Sequence, residues 1–108
     1  MYRFHRVARA KPERIKDAFQ FAREVSEYIN QTYPPVAIEV FLELFGENAK
    51  LHWYSDHPDL ASMETVGMKV MKDETYRKLM KTANEVLVDG SIRDTLMQSF
   101  RLSGKAER

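Results

Sequence analysis

The chain has 3 histidines, His5, His52 and His57, and its proton chemistry centres on them and on the carboxylates Glu39 and Glu43. A histidine beside a carboxylate can act as a general base, because the carboxylate orients the ring and favours its protonated form. His52 or His5 would be that base and Glu43 its orienting carboxylate, while Phe41, Tyr54, Glu39, Trp53 and Met97 would wall a small ligand. The plainer alternative is a cross-strand polar pair at a protein seam, worth about 0.2–1 kcal/mol. Cysteine is absent, which excludes disulfides, thiol nucleophiles and Cys-based zinc sites. No His-x-His or His-Glu-x-x-His spacing occurs, and His57-Pro58 reads as an exposed loop. No metal or cofactor is therefore expected.

Other motifs are weaker. Residues 1–16 hold Arg3, Arg6, Arg9, Lys11, Arg14 and Lys16 against Glu13, net +5, and residues 17–47 are net −5. The two blocks are expected to pair within the sheet or between protomers. Ala8-Arg9-Ala10-Lys11-Pro12 lacks the glycines of a phosphate-binding loop. Trp53 and Tyr54 could stack an unpaired base, but Ala49-Lys50-Leu51-His52-Trp53-Tyr54 lacks the glycine of the RNA-recognition module. Glu39 and Glu43 would also repel phosphate, so no nucleic-acid partner is expected. Met63, Met68, Met71 and Met80 suit core filling or an adaptable apolar pocket. Gly67 interrupts a helical pattern at a cost of about 1 kcal/mol, which close helix-to-sheet packing or ligand approach would justify.

These residues must be placed by a small set of elements. Tyr2 to Ala10 alternates as a strand, with Tyr2, Phe4 and Ala8 on one face and Arg3, His5, Val7 and Arg9 on the other. After Pro12 the apolar spacing turns helical at Ile15, Ala18, Phe19, Ala22, Val25 and Ile29, ending before Pro34-Pro35. Val36 to Phe45 reads as the strongest strand. Its first face is Val36, Ile38, Val40, Leu42 and Leu44, and its second is Ala37, Glu39, Phe41, Glu43 and Phe45. Gly46 to Ala49 signals a turn into a strand from Lys50 to Asp56. The expected register sets Leu44 opposite Leu51, Glu43 opposite His52 and Phe41 opposite Tyr54, which leaves Trp53 on the apolar face. Asp59 and Asp73 look like helix N-caps, Asp89-Gly90 ends the second helical region, and Ser91 to Phe100 reads as a last strand. Arg101 to Arg108 reads as a flexible tail.

Strand, helix, strand, strand, broken helix, strand is the order of a ferredoxin-like α+β sandwich, a four-stranded antiparallel sheet with helices on one face. The other face combines Val7, Phe41, Phe45, Tyr54 and Met97 with His5, Glu39, Glu43 and His52. That is too apolar for water and too polar for an ordinary core, so self-association is expected. Element order, Leu51-His52-Trp53-Tyr54 leading into a helix, and a second helix opening at Asp73-Glu74-Thr75-Tyr76 resemble the dimeric α+β barrel superfamily. That group includes the antibiotic-biosynthesis-monooxygenase, NIPSNAP-like and stress-responsive barrel families. The resemblance covers residues 1 to about 100 and implies a homodimer, with a pocket under the helices or inside the barrel. The haem-degrading branch typically uses a first-strand asparagine and a helix-borne histidine; this chain offers His5 on the first strand and no histidine on either long helix.

Size and charge bound the rest. With 108 residues and a net charge of +1, one domain is expected, with no general pull toward nucleic acid or anionic membrane. No stretch approaches the ~20 apolar residues of a membrane span, and the absence of cysteine fits a cytoplasmic protein. The sequence points to a cofactor-independent enzyme acting on a small, partly apolar organic molecule by oxygenation or proton transfer. A non-catalytic dimerisation or ligand-binding module is the alternative.

Overall fold

The computed structural model describes residues 1–46 and 49–100. The first strand, β1 (Tyr2–Arg9), lies inside the sheet, antiparallel to β3 (Lys50–His57) on one side and to β4 (Arg93–Gln98) on the other. A short β2 (Glu39–Leu42) flanks β3, giving the strand order β2-β3-β1-β4. A 3-10 turn at Pro12–Arg14 leads into α1 (Ile15–Thr32), and α2 (Leu60–Met71), α3 (Glu74–Lys81) and α4 (Ala83–Val86) follow β3. This is the expected α+β ferredoxin-like arrangement.

The core forms where α1 meets the centre of the sheet. Ala18, Phe21, Ala22, Val25 and Ile29 of α1 are buried, and Ala8, Leu51 and Trp53 of the sheet are buried with them. The alanines let helix and strand approach closely. Beyond β1, Ala10 bridges to Leu87, and Lys11 N–H donates to Val86 C=O at 2.8 Å, so α4 caps that end of the core. Both predicted caps are made: Asp59 accepts from Ser62 N–H at 2.7 Å, and Asp73 accepts from Tyr76 N–H at 2.9 Å. Tyr28 and Tyr33 donate to the other Asp73 oxygen at 2.6 and 2.5 Å, tying α1 to the start of α3. No side chain of α2 or α3 is fully buried.

Several sequence expectations are corrected. β2 spans Glu39–Leu42 and not Val36 to Phe45, because the Asn30 side chain engages both Ile38 N–H (2.7 Å) and Ile38 C=O (3.1 Å). These backbone groups are therefore bonded to α1. The hairpin register is shifted by two: Phe41 faces His52, Glu39 faces Tyr54, and Glu43 N–H donates to Lys50 C=O at 3.0 Å. A shift of two preserves the faces, so His52 and Tyr54 remain beside Glu39, Phe41 and Glu43. The cause is a longer connection entered through Gly46 at φ +110 and left through Ala49 at φ +66. β3 continues to His57, which pairs with Tyr2 and is buried, not looped out. β4 is shorter than expected, at Arg93–Gln98. Val40 and Leu42, expected under the helices, instead line a groove open to solvent between α1 and the edge strand β2, and Leu44 beyond β2 is exposed. The expected tail, 101–108, lies outside the described residues.

Candidate functional site

The sheet presents chemistry on both faces. On the open face, His5 and Tyr54 are paired across β1 and β3, with ring centroids 4.4 Å apart and planes within 6°. His52 lies one position along the same face, and its Nδ1 is 2.9 Å from His5 Nε2. Its other nitrogen, Nε2, is 2.9 Å from Glu43 Oε1. Glu43 reaches His52 diagonally from just beyond β2, across the hairpin, so the predicted pair forms although its register is different. The result is a line of three groups, His5, His52 and Glu43, two of them imidazoles joined through ring nitrogens. With both rings neutral, His5 Nε2–H donates to His52 Nδ1 and His52 Nε2–H donates to the carboxylate. Burial, and then the neighbouring His52, lower the His5 pKa below the ordinary imidazole value.

Aromatic and charged groups frame this line. Phe41 meets Tyr54 edge-on at 5.6 Å, and the Arg3 guanidinium lies 5.6 Å over the Tyr54 ring. Arg3 is held by Asp56 through two bonds of 2.7 and 2.9 Å. A shallow trough runs along Arg3, Glu39, Phe41, Glu43, His52 and Tyr54. Gly46 helps to shape it: a Cβ there would stand 2.6 Å from Glu43 Oε2. Met97 is opposite Arg3 on β4, separated from His52 by β1.

The structure divides the predicted site. His5, Glu39, Phe41, Glu43, His52, Tyr54 and Met97 share the open face, whereas Trp53 points beneath the helices. There it lines a cavity of about 270 Å³ walled mainly by Phe4, Phe21, Val25, Ile29, Met63, Val66 and Met80. The polar groups at its wall are few. Ser55 Oγ and His57 Nε2 are 2.9 Å apart, both residues are buried, and burial lowers the His57 pKa. Arg6 also reaches the cavity and is held by Asp94 through bonds of 2.7 and 2.9 Å. The Trp53 indole Nε1 is buried and has no hydrogen-bond partner among the described residues. Gly67 and Tyr76 belong to the same wall. Sequence reasoning missed Arg6, Ser55 and His57 as cavity groups. The period of two in Trp53-x-Ser55-x-His57 was the signal, obscured by ending the strand at Asp56.

The charge blocks are resolved as ion pairs. The two blocks do not pair within the sheet as expected: Arg14 bonds Asp17 at 2.7 Å three residues away at the start of α1, and Arg3 and Arg6 find Asp56 and Asp94, outside the acidic block, on β3 and β4. Among the described residues, no helix is long and apolar enough to cross a membrane.

Residues 3–98 match the family of unknown function DUF6039, and the chain belongs to that family. No curated protein matches its sequence. Solved structures similar in fold include an uncharacterised NIPSNAP domain protein from Burkholderia xenovorans, with a TM-score of 0.78 and 9% identity over 95% of this chain and 98% of that one. A protein from Agrobacterium tumefaciens has a TM-score of 0.77 and 13% identity, over 96% of this chain and 98% of that one. An antibiotic biosynthesis monooxygenase has a TM-score of 0.73 and 19% identity, over 94% of this chain and all (100%) of that one. The chain thus shares the fold of the NIPSNAP and antibiotic biosynthesis monooxygenase structures, as the sequence resemblance implied.

Proposed function

We propose that this protein is a homodimeric, cytoplasmic α+β barrel protein that takes up a small, largely apolar organic molecule in the cavity between its sheet and helices. The observation that carries this reading is the composition of that cavity. About 270 Å³ is lined mainly by apolar side chains, with Ser55, His57 and Arg6 as its few polar groups. Ligand sites characteristically combine an apolar lining with a few placed polar groups. The volume corresponds to roughly nine waters at liquid density, which suits a molecule of on the order of ten non-hydrogen atoms.

The chain has 1 tryptophan, so its fluorescence and its indole N–H resonance report on this cavity without interference. Titration with acetanilide, which is small, aromatic and carries an acceptor carbonyl, should shift both signals saturably. Val66→Phe, which fills the cavity, should weaken that binding at least tenfold while leaving the fold intact. Signals that do not respond to a series of such molecules would defeat the reading.

A second reading rests on the His5–His52–Glu43 line. It makes His52, or His5 through it, a general base oriented by Glu43, with Phe41 and Tyr54 as the ligand wall and Glu39 and Met97 at its margin. Cofactor-independent oxygenation or proton transfer would be the chemistry, as the monooxygenase neighbour suggests. His52→Ala decides between base and seam. Lost turnover with an intact dimer supports the base, whereas a weakened dimer with undiminished ligand handling assigns these residues to the interface.

A further inference from the structure

Three consecutive inward positions of β3, Trp53, Ser55 and His57, stand on the same face and line the same cavity. They supply a hydrogen-bond donor, a hydroxyl and an imidazole. Ser55 and His57 are 7% and 8% exposed, and their Oγ and Nε2 atoms are 2.9 Å apart. Such a separation is the relation between a hydroxyl nucleophile and its base. Trp53 is 7% exposed, and its N–H has no partner among the described residues.

We infer that Ser55 and His57 form a nucleophile–base pair for acyl transfer from small apolar esters. The inference rests on the cavity reading given above. Ser55 Oγ bonds to the ester carbonyl carbon as its proton passes to His57 Nε2. The carbon–oxygen bond to the alcohol then breaks, and the leaving oxygen takes that proton. A water next gives its proton to His57 as its oxygen bonds to the acyl carbon. The carboxylic acid departs, and Ser55 Oγ recovers the proton. The sum is ester plus water to acid plus alcohol, with no oxidant or cofactor. His57 suits this role because burial favours its neutral form, which is the form that can accept a proton.

The test uses the whole chain. Diisopropyl fluorophosphate should add one diisopropylphosphoryl group, and peptide mapping should place it on Ser55. Phenyl acetate should be hydrolysed, with Ser55→Ala and His57→Gln each slowing the reaction at least a hundredfold. Acetanilide should still shift the Trp53 signals in Ser55→Ala. Adducts on other residues, or hydrolysis unchanged in Ser55→Ala, would overturn the inference and leave the Ser55–His57 bond a purely structural pairing. If acetanilide binds normally in that case, the cavity reading survives; if acetanilide does not bind the unmodified protein, both fail. Mapping of the unmodified chain decides the matter even if a variant does not fold.

Discussion

At the residue scale, two histidines are held away from the charged form by burial, and this fixes how stability depends on acid. His57 lies under the helices and His5 on the open face beside His52, and both have pKa values below that of a free imidazole. On unfolding each returns to the ordinary value near 6.5. Below that pH the unfolded chain therefore binds more protons than the folded one, and stability falls as pH drops from about 7 toward 5. Denaturant midpoints at pH 7.5 and 5.5 should show that loss, and His57→Gln should remove part of it. A second residue-scale consequence concerns Gly46. Its φ of +110 and the 2.6 Å approach of an added Cβ to Glu43 Oε2 mean that Gly46→Ala must both strain the turn and displace the carboxylate that holds His52. The expected cost is about 1 kcal/mol or more. In a Glu43→Ala background the displacement component vanishes, so a double-mutant cycle should show non-additivity.

At the scale of elements, α2 is packed less tightly than its sequence suggests. A Cβ on Gly67 would meet nothing within 4 Å, so close packing is not the reason for the glycine. Gly67→Ala should therefore stabilise the helix by about 0.5–1 kcal/mol and raise Tm by a few degrees in a thermal melt. In the proposed cavity reading ligand approach accounts for the residue, and the same substitution should then weaken acetanilide binding. The start of α3 behaves differently. Asp73 is held down to about 2 by bonds from Tyr28 and Tyr33, then by the Tyr76 N–H. Its stabilisation is present above pH 4 and is lost as pH falls toward 2, so Tyr28→Phe with Tyr33→Phe should move acid unfolding to higher pH. These elements also show what a sequence can disclose. The caps at Asp59 and Asp73 were legible because capping is local, and the faces of β1 and β3 followed from a period of two. The extent of β2 was not legible, because it depends on Asn30, a side chain on another element, bonding the Ile38 backbone. The register escaped for a related reason: a turn with two positive-φ positions, one of them Ala49, leaves no distinct residue signature. The open-face cluster was anticipated because a shift of two residues preserves side-chain faces, whereas the Ser55–His57 pair required knowing that β3 runs one residue further.

At the scale of the whole molecule, the near-neutral charge conceals paired blocks, and the one-sided helix layer leaves a sheet face uncovered. Arg3, Arg6 and Arg14 are each matched by an aspartate, so the amino-terminal arginines bind the chain to itself more than they present a field to an anionic partner. The uncovered face is different. Phe41 is 51% and Met97 41% exposed, on the same surface as Tyr54, Val7 and the His5–His52–Glu43 line. Burying that surface against a second copy would remove apolar area from water and, at about 25 cal/mol per Å², stabilise the assembly in proportion to the area covered. The same burial would place the histidine line at the seam, where a charged imidazole is costly without a paired carboxylate. Sedimentation should therefore show a dimer at micromolar concentration near pH 7.5. Phe41→Glu, which sets a new carboxylate between Glu39 and Glu43, should raise the dissociation constant at least tenfold without altering the Trp53 signals, because Trp53 faces the opposite side of the sheet. A monomer in the unmodified protein would remove the barrel assembly and leave the cavity, which each chain builds from its own residues, as the part of the molecule that acts alone.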